Sequence, residues 1–278
     1  TGGPVFMILI FFTNDFTKNI VPMNTTINNN AKLANDFTIP IMIHVDEALT
    51  HSLPIHMTPK IKDIFRLKAY EILQDVEKFF SYPSLMLKIK MELLDLKVLN
   101  NRTQSFAASE NVSQYLKSFC TWQGEKKKHK WYYSVLFTGL DLFYLNNHGM
   151  KVWSSTGRGY MKGMCSMRNS CTLLEWRPEY MAYVLAHEIA HSLGITHDGY
   201  PYNNCHGQRF IMDAKLNPHN QSKIWSPCSR IDLDQYLNHL KNPLDIFAIK
   251  TYQAQYFLYL RTETIQHALG INCDLEYL

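Results

Sequence analysis

Apolar positions at 61, 64, 65, 72, 73, 76, 79 and 80 recur near helical period and predict a helix over 59–80, with Pro59 where a first turn tolerates it. Before it, Ile39 to Val45 is an apolar run that predicts a first strand, closed by Asp46-Glu47. Partial alternation at Leu87, Ile89, Met91 and Leu93 predicts a second strand within 85–99. The aromatic and β-branched stretch 131–137 predicts a third. Residues 160–165, after a glycine-rich loop, read as a short edge strand. Further helices are expected over 105–122, 178–193 and 230–240, with Pro178 near a first turn. Strands and helices therefore alternate, which predicts an α/β class with a mixed sheet.

The pattern also divides the chain. Residues 1–38, rich in Asn and Thr after the apolar run Val5–Phe12, read as a leader or pro-segment remnant. That run is too short to cross a bilayer. A chain starting at Thr1 is expected to be processed or incomplete. Residues 39–242 form the expected main domain. Residues 243–278, with Phe247, Tyr252, Tyr256, Phe257 and Tyr259, read as a helical extension. With 46% hydrophobic and 19% charged residues, a packed core is feasible and global disorder is excluded. A net charge of +4 is too small to argue for nucleic acid. The run Lys126-Lys127-Lys128-His129-Lys130 reads as a solvated loop before a strand. Oligomeric state has no signal in the sequence.

Residues 187–198 read His-Glu-Ile-Ala-His-Ser-Leu-Gly-Ile-Thr-His-Asp. On a helix, His187 and His191 share a face one turn apart and can hold one zinc ion at about 2.0–2.1 Å per nitrogen. Gly194 can take positive φ, end the helix and bring His197 back as a third ligand. Three histidines leave a tetrahedral position open, the pattern of a catalytic site. Glu188, beside that face, is the candidate general base. The bare alternative is a pair of satisfied core histidines, but H-E-x-x-H-x-x-G-x-x-H fixes five positions and is the metzincin signature.

Six cysteines, at 120, 165, 171, 205, 228 and 273, suit disulfides in an oxidising compartment, though the sequence alone allows fifteen pairings. Sequons at Asn24, Asn101, Asn111 and Asn220 join them in favouring a secreted, extracellular glycoprotein.

The chain resembles the adamalysin branch of the metzincins, and within it the catalytic domain of ADAMTS proteases. Asp198 after the zinc motif is similar to adamalysins. Phe119-Cys120-Thr121-Trp122-Gln123, Leu136-Phe137-Thr138 with Asp141-Leu142, Gly163-Met164-Cys165 with Ser170-Cys171, and Ile224-Trp225-Ser226-Pro227-Cys228-Ser229 resemble ADAMTS segments. Phe210-Ile211-Met212-Asp213 lies where metzincins carry the methionine turn. Met212 reads as that methionine or as an ordinary core one. The resemblance implies a mostly parallel twisted sheet, a zinc cleft between a large upper and a small lower subdomain, and the disulfides Cys120–Cys171, Cys205–Cys228 and Cys165–Cys273.

Three departures stand out. Residues 143–157 lack an extra cysteine pair common in the family. The acids expected for calcium fall at Pro40 and Tyr132, leaving only Asp274 and Glu276, too few oxygen donors to predict a Ca2+ site. The Cys228–Cys273 spacing is longer than the family's. With neither a thrombospondin repeat nor a cysteine-bearing pro-segment, the chain resembles short secreted metalloproteases of venoms and arthropod saliva.

The expected function is a secreted zinc endopeptidase acting on extracellular proteins or peptides. Substrate would pair along residues 160–165, and the loop 212–217 would shape a specificity pocket. The competing readings are a catalytically weak metzincin-fold binding or toxin module, and a zinc hydrolase of non-peptide substrates.

Overall fold

The computed structural model describes residues 36–52, 60–127, 131–153, 156–206, 210–215 and 222–241. Strands β1 (Asp36–Val45), β2 (Lys88–Val98) and β3 (Tyr133–Thr138) are parallel, joined through helices α1 (Glu47–Ser52), α2 (Ile61–Phe80) and α3 (Val112–Lys127). A small hairpin, β4 (Tyr144–Leu145) with β5 (Lys151–Val152), precedes the edge strand β6 (Gly157–Gly159) and then β7 (Cys171–Glu175). The five-stranded sheet has the order β2-β1-β3-β7-β6, with only β6 antiparallel. Helices α4 (Met181–Ser192) and α5 (Pro227–Lys241) follow. The expected α/β class with a mostly parallel sheet is therefore observed.

Every residue of β3 and β7 is buried, as parallel strands covered on both faces require. Alternation sorts them. Tyr133, Val135, Phe137 and Leu174 join the main core with α2 and α4, while Leu136 and Leu173 join a second cluster with Tyr115, Leu116 and Phe119 of α3. The sheet is thus sandwiched, with the α4 side carrying the histidine motif.

One buried carboxylate joins the layers. Asp46, at the end of β1, accepts hydrogen bonds from Leu49 N, Tyr115 OH, Thr138 Oγ1 and Gly139 N. On the neighbouring edge strand, β2 is interrupted by a register shift opposite Ile41/Met42, and its Met91 N–H donates to Glu77 Oε1 at 2.7 Å.

Several expectations need correction. The edge strand is 157–159, not 160–165. Beyond Gly159 the chain leaves the sheet because Lys162 N and Met164 N donate to His191 O and Ser192 O, the last carbonyls of α4. Helix α3 begins at Val112 rather than Ser105, where Asn111 Oδ1 accepts from Ser113 N and Gln114 N as an N-cap. Lys127 is not in a solvated loop: it ends α3, buried, with Nζ donating to the Ser170 carbonyl and hydroxyl. β1 starts at Asp36, inside the stretch read as a leader. The extension 243–278, most of the leader, Asn24, Asn220, Cys273, Asp274 and Glu276 lie outside the described residues.

Candidate metal centre

The helix α4 carries His187 and His191, and a Schellman motif ends it. Gly194 N donates to His191 O at 2.9 Å and Ile195 N to Ala190 O at 3.0 Å, with Gly194 at φ +85°. The chain turns back there, and His197 returns to the two helical rings. His197 Nε2 lies 3.1 Å from His187 Nε2 and 3.0 Å from His191 Nε2.

The protonation states follow from the partners. His187 Nδ1 sits 2.9 Å from Ile211 O and His191 Nδ1 2.8 Å from Ile195 O. A carbonyl only accepts, so both Nδ1 atoms carry protons, and in the neutral rings both Nε2 atoms are bare lone pairs. Burial lowers the pKa of His187 to about 4 and of His197 to about 4, and lowers that of His191, so the rings are neutral near pH 7. His197 Nε2 can supply a proton to one of the two bare nitrogens but not to both. A cation resolves this crowding. Nitrogens about 2.0–2.1 Å from one tetrahedral ion are about 3.3 Å apart, close to the spacing seen here, so the donor set fits zinc.

Glu188, buried beside the rings, accepts a hydrogen bond from Gly159 N at 2.6 Å. Burial pushes its pKa up, against His191, that same amide and Arg158, which pull it down. Ser192 Oγ, next to Tyr133 OH at 2.7 Å, donates back to Glu188 O.

Against His187, Phe210–Asp213 forms a tight turn, with Asp213 N donating to Phe210 O at 3.2 Å. Met212 is fully buried, and its carbonyl accepts from Asp198 N at 2.9 Å. Ile211 O, which orients His187, also accepts from Tyr183 OH at 3.2 Å. Asp198 does not reach the rings' nitrogens. Its Oδ1 accepts from Ser226 Oγ, and its pKa is raised to about 6 by burial, with Asp232 and Asp213 adding to the effect.

The loop after His197 is tied from several sides. Asn203 Oδ1 accepts from Gly199 N and Cys205 N while its Nδ2 donates to His197 O, and Asp232 accepts from Thr196 N and Oγ1. The Cys205–Cys228 disulfide pins this loop to α5, and Cys120–Cys171 ties α3 to β7. For the third implied bridge, Cys273 lies outside the described residues. Asn101 is exposed, and Asn111 caps α3.

The sequence reading missed Gly159, Asn203, Asp232 and Asp46. None belongs to a spaced motif, although Asn203 two residues before a cysteine is an Asx-turn signal. The resembling segments tie distant parts of the chain together. Trp225 Nε1 donates to Phe79 O, and Gln123 Nε2 donates to Met167 O and Arg168 O.

The family model described as "Reprolysin (M12B) family zinc metalloprotease" matches residues 41–243. Among curated proteins, human "A disintegrin and metalloproteinase with thrombospondin motifs 16" is 31% identical over 175 residues, 60% of this chain and 14% of that protein. The mouse protein with thrombospondin motifs 18 is 29% identical over 174 residues, 60% of this chain and 14% of its own length. The human one with motifs 19 is 26% identical over 222 residues, 74% and 18%. The chain thus spans 14% to 18% of the length of these relatives. A solved structure described as a chaperone–substrate complex covers 73% of the chain at 10% identity and a TM-score of 0.45.

Proposed function

Since the chain belongs to the reprolysin (M12B) family of zinc metalloproteases, we propose that it is a secreted zinc-dependent endopeptidase acting on extracellular proteins or peptides. The observation that carries this reading is the convergence of His187, His191 and His197 Nε2 beside a buried Glu188. These three nitrogens would hold the ion. Zinc, when bound there, supplies Lewis acidity, lowering the pKa of a water toward about 7 and polarising a carbonyl.

The chain's own residues do the rest. Ile211 O and Ile195 O hold the His187 and His191 rings in the tautomer that leaves Nε2 bare. The Glu188 carboxylate, oriented by Gly159 N–H, takes the proton of the attacking water and returns it to the leaving amine. Its surroundings favour both halves of that shuttle, because burial raises its basicity while the amide stabilises its charged form. Among the described residues β6 has β7 on one side and no further strand in the sheet on the other. An extended peptide adds there by backbone pairing, which lays its amide bonds across Glu188 and the rings. Met212 and its turn support the His187 ring, and Asp198 and Asn203 hold the His197 loop.

Two disulfides support an oxidising compartment. Among the described residues no helix is long and apolar enough to cross a membrane.

The test is incubation of the purified chain with a panel of denatured proteins, with and without a strong chelator, followed by zinc add-back. Internal cleavage that stops with chelator and returns with zinc is expected. Absence of cleavage, or cleavage indifferent to chelator, would end the endopeptidase reading.

A further inference from the structure

The edge strand β6 is Gly157-Arg158-Gly159. A Cβ on Gly157 would meet the Leu174 and Val184 side chains, and one on Gly159 would meet Ser192 Oγ and Glu188. Both glycines therefore face α4. Strand alternation turns Arg158 to the other face, where it is exposed. It is the only side chain larger than hydrogen that this strand carries.

Its backbone is held on both sides. Thr172 Oγ1 donates to Arg158 O at 2.9 Å, and the next amide is fixed on Glu188. Among the described residues no carboxylate forms an ion pair with its guanidinium. The next residue, Gly159, donates its N–H to Glu188, so the strand that carries this cation runs beside the centre.

A peptide added to β6 alternates its side chains. One set points toward α4 and the rings, and the intervening set lies on the face of Arg158. Cross-strand neighbours on one face have Cβ atoms about 4.5–5.5 Å apart, within reach of a long guanidinium. We infer that Arg158 selects an acidic side chain in the substrate, at the position opposite it on that outer face. The inference rests on the endopeptidase reading and deepens it by naming a substrate chemistry.

The test uses fluorogenic peptides that carry Glu, Gln or Lys at one position at a time around the cleaved bond. The wild-type chain is expected to cleave the Glu peptide about two- to five-fold faster than the Gln peptide at one or two alternate positions, the size of an opposite-charge cross-strand pair. The preference should shrink as salt rises. Arg158→Gln should abolish it, and Arg158→Glu should transfer it to Lys at the same positions. Equal rates for Glu, Gln and Lys in the wild type, or ratios unmoved by both substitutions, overturn the inference while cleavage itself upholds the endopeptidase. If no peptide is cleaved, fluorescence anisotropy of the labelled Glu and Gln peptides on the Glu188→Ala chain decides. Tighter binding of the Glu peptide, lost in Glu188→Ala/Arg158→Gln, supports the selector, and equal Kd values refute it.

Discussion

Gly159 N–H donates to Glu188 Oε2 at 2.6 Å, so the edge strand that would receive substrate also aims the candidate base. A Cβ at 159 would lie 3.2 Å from Glu188 O and 3.4 Å from Ser192 Oγ, tight enough to shift the strand by tenths of an ångström. Gly159→Ala is therefore expected to lower kcat by about tenfold while the melting temperature stays near that of the parent. Initial rates on a denatured protein, alongside a thermal melt, check it. An unchanged kcat would show that Glu188 does not depend on this amide.

Removing the carboxylate separates binding from chemistry. Glu188→Ala leaves the three ring nitrogens and their carbonyl partners in place. The variant should retain zinc near one equivalent and lose about 10²–10⁴-fold in rate. Elemental analysis and the same rate assay are sufficient, and substantial residual proteolysis would refute the assignment.

Gly194 sits at φ +85°, with Tyr236 side-chain atoms 3.1 Å from where a Cβ would be. An alanine there adopts a left-handed conformation costing about 1–2 kcal/mol and presses on Tyr236. Gly194→Ala is expected to drop the melting temperature by roughly 3–8 °C and to weaken zinc affinity, because His197 follows this turn. Calorimetry with and without chelator separates the two effects: a drop confined to the zinc-loaded form would place the damage in the ligand loop alone.

A pH signature is expected from His44, far from the rings in sequence and buried among Phe119 and Trp122. Burial lowers its pKa from 6.5 to about 3, with Lys97 adding to the effect. The unfolded ring gains a proton near 6.5 and the folded ring only near 3. Its contribution to stability is therefore complete above 6.5 and is lost as pH falls from 6.5 toward 3, at up to about 1.4 kcal/mol per pH unit. Wild type should lose melting temperature more steeply than His44→Phe across that window. Parallel curves would mean that the ring is protonated in the fold.

Period and spacing made most of the sheet and helices legible. α2, α4 and α5 have amphipathic or capped patterns, β1 and β3 are apolar runs and β2 alternates in part, so each is placed within a few residues. The three histidines and Glu188 lie in one short segment whose geometry is local, and the turn at Gly194 follows from its residue type. What escaped depends on contacts distant in sequence. β7 is a five-residue strand buried on both faces, without alternation to betray it. β6 has two glycines and no strand propensity, and exists because β7 and Glu188 receive it. Lys127 looked like part of a soluble basic run, yet Ser170, forty-three residues on, supplies the oxygens that let it be buried.

The far side of the sheet bears on how copies of this chain treat one another. Among the described strands β2 also ends the sheet, but a register shift breaks its line, and Lys88, Lys90 and Lys97 stud it with charge. Such an edge is a poor template for a second molecule. Growth of the sheet is thereby steered to the β6 side, so a crowded solution of this protein is guarded against polymerising through β2 while the side beside the histidines stays receptive to a guest strand.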